Sequence, residues 1–144
     1  MKEMKFEYPI EGGDFIKAGH ASSNIKKILN QLNLDPVLVR RIAVAMYEAE
    51  VNVVAHAFRG TMMVFINPGK ITVRVEDEGP GIPDIEKAMQ EGYSTASDKV
   101  REMGFGAGMG LSNMKKNTDK LDIQSIINKG TVVEMTTYTQ LKKS

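Results

Sequence analysis

The segment GFGAGMGLSNM, residues 104–114, sets glycine at four alternate positions (Gly104, Gly106, Gly108 and Gly110) directly before an apolar, helix-compatible run. Glycine loses more conformational freedom on folding than any other residue. Such a run therefore marks backbone that must bend sharply or approach something closely. Alternate glycines let N–H groups turn inward, and a helix starting near Gly110 adds unpaired N–H groups and the positive end of its dipole. Together these make an anion site suited to a di- or triphosphate; the alternative is a flexible loop with no ligand. Two familiar phosphate motifs are excluded. G-x-x-x-x-G-K-[ST] is absent, and G-x-G-x-x-G does not occur, nor does a strand directly precede the run.

The rest of the chain has the make-up of an ordinary globular protein. Its 144 residues are 42% hydrophobic and 26% charged, the size and composition of one domain spanning 1–144. A net charge of +1 gives no field that would draw nucleic acid or a membrane surface. With no cysteine, disulfides, thiolate metal sites and a cysteine nucleophile are excluded together. MKEMKFEYPI carries no long apolar segment, so the expected location is the cytoplasm.

Hydrophobic spacing predicts the elements. KFEYPI, residues 5–10, alternates as a strand, and residues 15–32 carry a helical pattern with a ragged start near Gly19. Asp35-Pro36 opens a long helix running to about Phe58, with Asp35 as cap and Pro36 at the first helical position. Two strands flank Asn67-Pro68-Gly69, a short helix follows Pro83, and residues 92–109 show no clear period. A helix from Gly110 to about Lys120 and a hairpin around Asn128-Lys129-Gly130 close the chain. This order implies an α/β protein, a two-layer α/β sandwich. Its sheet should be mixed, mostly antiparallel, and covered on one face by helices.

Two further motifs could carry chemistry. In VEDEGPGIPD, residues 75–84, a strand ends at Asp77, and Gly79-Pro80-Gly81 turns the chain. A carboxylate only accepts hydrogen bonds, which suits a donor such as the adenine amino group, and Gly79 and Gly81 would leave room for a flat base. The plainer alternative is a polar turn. On the long helix Glu48, Asn52 and His56 are four apart and share one stripe, while Ile42, Ala45, Ala49 and Val53 lie on another face. Asn52 offers a neutral oxygen to a magnesium ion that keeps most of its waters, and Glu48 could orient or deprotonate an attacking hydroxyl. Here the alternative is a solvated helix face.

Taken in order, E-x-x-x-N-x-x-x-H-A (48–57), D-x-G-x-G (77–81), G-x-G-x-G-x-G (104–110) and Gly130-Thr131 resemble the four nucleotide-binding boxes of the GHKL ATPases, whose domain is the Bergerat ATP-binding fold. The short chain is similar to the stand-alone serine/threonine kinases of bacterial partner-switching systems, both anti-sigma-factor kinases and the stressosome switch kinase. DEGPGIPDIEKAMQEGYST looks like the latter and NVVAHAF like the former. The resemblance implies ATP and Mg2+ as cofactors, with Asn52 on the metal, Glu48 as catalytic base and Asp77 on the adenine amino group. It puts Thr131 in the base pocket beside Gly79 and Gly81. Gly104, Gly106, Gly108 and Gly110 would wrap the phosphates in a lid at about 92–110, with Arg101 near the terminal phosphate. His56 is expected to be structural. Glu50 departs from the box, which usually holds a small or apolar residue there, and it either faces solvent or alters the chemistry. The implied partners are a STAS-domain antagonist protein, a sigma factor or a phosphatase regulator, and a homodimer through the sheet stays open. Three other readings remain beside a kinase: an ATP-dependent anti-sigma or regulator-binding protein without kinase activity, a detached histidine-kinase catalytic domain, and a conformational ATPase.

Overall fold

The computed structural model describes residues 3–90 and 110–139. In chain order these form β1 (Met4–Glu11), α1 (His20–Asn30), α2 (Pro36–His56), β2 (Arg59–Asn67), β3 (Lys70–Glu78), α3 (Ile85–Ala88), α4 (Gly110–Lys116), β4 (Lys120–Ile126) and β5 (Gly130–Tyr138). The strands make one five-stranded sheet in the order β1-β2-β3-β5-β4, and all four pairings are antiparallel.

Alternation decides which side of the sheet is covered. Met62, Val64 and Ile66 of β2, Ile71, Val73 and Val75 of β3, and Val133 and Met135 of β5 are all buried. Successive strand residues point to opposite faces, so this set lines one side, and the helices lie on it. The same rule leaves Arg74 on the other face, where its guanidinium reaches Glu76 at 2.8 Å and Glu134 at 3.1 Å. The buried side of α2 is formed by Val39, Ile42, Ala45, Met46, Ala49 and Val53, which recur at helical spacing. From α1, Ile25 and Leu29 complete the core.

Helix ends follow from local chemistry. Asp35 accepts a hydrogen bond from the Val37 N–H at 2.9 Å and Pro36 stands at the first helical position, as the sequence implies. The helix stops at His56, two residues short of the expected Phe58. The Phe58 N–H is instead drawn to the Glu78 carbonyl at 2.8 Å, which launches β2 beside β3. Helix α4 ends at Lys116 rather than near Lys120, because the Asn117 amide and the Thr118 hydroxyl donate to the carbonyls of Asn113 and Met114, each at 2.8 Å. Helix α1 spans His20–Asn30, shorter than residues 15–32, and here the cause is not local.

Gly19 at the start of α1 is left-handed, and no side chain of its own segment caps the helix. The cap comes from α2. Glu50, only 3% exposed, accepts hydrogen bonds from the N–H groups of Gly19, Ala21 and Ser22 at 2.9, 3.2 and 2.9 Å and from the Ser22 hydroxyl at 2.8 Å. Glu50 therefore does not lie on the solvent side of the helix. Four donors and a favourable helix dipole satisfy its carboxyl oxygens, which is what makes burial of so polar a group tolerable.

Candidate functional site

The ends of β3, α2 and β5 meet at one point of the sheet. Asp77, the penultimate residue of β3, directs its Oδ1 toward the start of β5 and accepts a hydrogen bond from the Thr131 N–H at 3.1 Å. Among the described residues Oδ1 alone is engaged, so Oδ2 keeps its acceptor capacity. Burial pushes the Asp77 carboxyl above its ordinary value, while the Thr131 N–H acts the other way. Among the described residues no ion pair engages this half-buried carboxylate, and its free oxygen is suited to a neutral N–H donor, as in an adenine amino group.

Thr131 is buried, and its hydroxyl pairs with the Ser125 hydroxyl at 2.8 Å. Ser125 also accepts from the Ile82 N–H at 2.7 Å, which ties the Gly79–Gly81 turn to β4. That turn is anchored again by Gly79 N–H to the Lys129 carbonyl (3.1 Å) and Asn128 N–H to the Pro80 carbonyl (2.9 Å). Gly81 has φ +79, and a methyl group there would stand 2.6 Å from the Ile126 carbonyl oxygen. At Gly79 it would meet the Ala57 Cα at 3.0 Å. The room these glycines leave is thus taken up by neighbouring chain, which sets the turn against α2 and the β4–β5 connection.

Glu48, Asn52 and His56 lie along α2 as their spacing predicts, each half-buried. The Asn113 amide of α4 donates to Glu48 Oε1 at 3.4 Å, and the Cβ of an alanine at Gly110 would lie 3.5 Å from Glu48 Oε2. The first turn of α4 and the Glu48 carboxylate therefore face each other. Among the described residues Asn52 makes no side-chain hydrogen bond, so its amide oxygen is available to a ligand. Burial holds the His56 imidazole below its ordinary value.

Asn52 fits a magnesium ion that takes its other oxygens from water and phosphate. Among the described residues no group of three or more His, Cys, Asp or Glu side chains could hold a metal by itself. Arg101, Gly104, Gly106 and Gly108 lie outside the described residues. The structure brings together Asp77, Thr131, Gly79 and Gly81 at the end of β3. Glu48 lies against Gly110 at the start of α4, and Asn52 follows one turn along α2.

A histidine kinase-like ATPase domain profile matches residues 17–137. The chain belongs to this family. Among relatives of this ATPase-domain protein is an anti-sigma F factor from Thermoanaerobacter sp. (strain X514), 40% identical over 112 residues, covering 73% of this chain and 75% of that one. The serine/threonine-protein kinase RsbT of Bacillus subtilis is 30% identical over 125 residues, covering 84% and 86%. A third, the anti-sigma F factor of Geobacillus kaustophilus, is 33% identical over 108 residues, covering 69% and 70%. No described helix of this ATPase-domain chain is long and apolar enough to cross a membrane.

Sequence reasoning did not single out Ser125 or Asn113, which the structure places on Thr131 and Glu48. For Ser125 a signal existed: two-residue alternation puts it in line with Leu121 and Ile123, a polar group in an apolar register. Asn113 had no such signal, because it reaches Glu48 across 65 residues of sequence.

Proposed function

We propose that this chain is an ATP-dependent serine/threonine protein kinase of a bacterial partner-switching system, acting in the cytoplasm on a small STAS-domain antagonist protein. The observation that carries the reading is the half-buried Asp77 carboxylate, held by the Thr131 N–H at 3.1 Å, together with Glu48 facing the first turn of α4. The kinase and anti-sigma names of its relatives support the same reading.

Asp77 Oδ2 accepts from the adenine amino group, and Thr131 and Ser125 hold that wall of the base site. Asn52 presents its amide oxygen to magnesium, which when bound neutralises phosphate charge. Glu48, facing the start of α4, orients the incoming serine or threonine hydroxyl and takes its proton at a carboxylate oxygen. On the strength of the resemblance, the glycines at 104, 106 and 108 are assigned to wrapping the phosphates and Arg101 to the terminal phosphate. Most of the acceleration in such a reaction comes from positioning and charge neutralisation, so the rigid wall built around Asp77 matters as much as the base.

Labelled ATP incubated with the protein and a purified STAS-domain partner tests this. Wild type should transfer the γ-phosphate, and Glu48→Gln should bind ATP nearly as well while transferring at least about a hundredfold more slowly. Transfer by Glu48→Gln at the wild-type rate would remove Glu48 from the base role. The second reading, an ATP-dependent anti-sigma protein without kinase activity, is favoured by the anti-sigma names of two of these relatives. Under it, no label reaches any partner although a sigma factor is retained in the presence of ATP.

A further inference from the structure

The catalytic reading leaves one buried carboxyl side chain without a task. Glu50 sits on α2 between Glu48 and Asn52, and two residues of α-helix rotate a side chain by roughly 200°, so it points away from both. On its side of α2 it gathers every donor available at the start of α1: three backbone N–H groups and the Ser22 hydroxyl, all within 3.2 Å. On the opposite side, Glu48 meets Asn113 and the start of α4. Helix α2 is thus gripped from two sides, by α1 through Glu50 and by α4 beside the cleft.

The strand-to-helix connection before α1 adds a second hold on the same helix. The Gly13 N–H donates to the Val54 carbonyl at 2.8 Å, and the Gly12 N–H donates to the Phe58 carbonyl at 3.0 Å. These contacts hold the last turn of α2 and the residues just after it, whereas the middle of the helix, from which Glu48 and Asn52 project, is held by its buried apolar face and by Glu50. The two oxygens of the Glu50 carboxyl divide between Gly19 and Ala21 on one side and Ser22 on the other.

We propose that Glu50 is a positioning residue: by tying the N-terminus of α1 to α2, it fixes the roll of α2 and hence where Glu48 and Asn52 stand in the nucleotide cleft. The inference rests on the ATP-site reading given above. A displacement of the order of 1 Å at a positioning group can cost about a hundredfold in rate, so a loosened helix is enough to matter.

Glu50→Gln keeps the side-chain length but offers an N–H2 group to backbone donors, and Ser22→Ala removes one of the four donors with no change of backbone. Each variant is studied at a temperature where circular dichroism shows it fully folded. Calorimetry with Mg·ATP and single-turnover transfer to a STAS-domain partner are then compared with wild type. Glu50→Gln is expected to weaken Mg·ATP binding about tenfold and to slow transfer from bound ATP by at least as much, with Ser22→Ala about threefold in each. If folded Ser22→Ala and Glu50→Gln lose only melting temperature, with wild-type Mg·ATP affinity and transfer rate, Glu50 is a structural cap and the proposal is wrong. If Glu50→Gln fails to fold, Ser22→Ala alone decides by the same criterion. Should wild type transfer no phosphate, the kinase reading fails, and the Mg·ATP titration still judges Glu50.

Discussion

Gly130 offers the sharpest test of how the surroundings of Asp77 are built. A methyl group at this position would overlap the backbone carbonyl oxygen of Asp77 and stand 3.2 Å from Asp77 Oδ1. Both are parts of the β3 end on which the site depends, and neither is the flexible tip of a side chain. In Gly130→Ala the start of β5 must therefore move away from β3. That stretches the bond from the Thr131 N–H to Asp77, now 3.1 Å. Loss of a hydrogen bond to a charged acceptor costs about 1.5–3 kcal/mol. Residual backbone strain adds about 1–3 kcal/mol. A destabilisation of about 2.5–6 kcal/mol follows, a large share of the total for a domain of this size. At about 2–4 °C per kcal/mol, the melting temperature should fall by roughly 5–24 °C. Gly69→Ala is the matched control, because a methyl group there meets nothing within 4 Å. Thermal unfolding of the two variants and wild type, followed by ADP titration at a temperature where all are folded, separates the effects. Gly130→Ala should also weaken ADP binding, since Asp77 loses the partner that orients it. A Gly130→Ala protein as stable as Gly69→Ala, with wild-type ADP affinity, would refute the claim that close packing of β5 on Asp77 builds these surroundings.

Two further outcomes are expected. Asn52→Ala should lower affinity for Mg·ATP about tenfold while leaving ATP binding in chelator unchanged, and calorimetry with and without magnesium reads the difference; equal losses under both conditions would remove Asn52 from the metal. His56, whose burial holds its pKa below the ordinary 6.5, binds a proton more readily in the unfolded chain than in the folded one. Its contribution to stability is present above 6.5 and is lost as pH falls through that value toward the depressed one. Melting temperature should therefore drop more steeply between about pH 7.5 and about pH 5.5 for wild type than for His56→Gln, and parallel curves would contradict the burial argument.

Most elements were legible because their signals are local. The Asp35-Pro36 opening of α2, the turn at Pro68-Gly69 and the two-residue alternation of β2, β3 and β5 each rest on residues within a few positions of one another. The motifs at Glu48–Ala57, Asp77–Gly81 and Gly130-Thr131 could be read the same way, as could the stripe of Glu48, Asn52 and His56. Periodicity also carried an unused hint about Glu50. It adjoins Ala49 and precedes Val53 by three, which sets it at the margin of the buried face.

The order of residues along the chain thus determined which segments are helix or strand, which face of each is apolar and which side chains have the chemistry for nucleotide. Tertiary structure alone decided what those side chains touch. The N-terminus of α1 is completed by a carboxylate 28 to 31 residues away, Asp77 is oriented by an N–H 54 residues away, and the space at Gly79 and Gly81 is filled by α2 and the β4–β5 connection. Propensity and spacing report on a residue's neighbours in sequence. The partner of a buried polar group is set by which distant segment the packed core brings within about 3 Å of it.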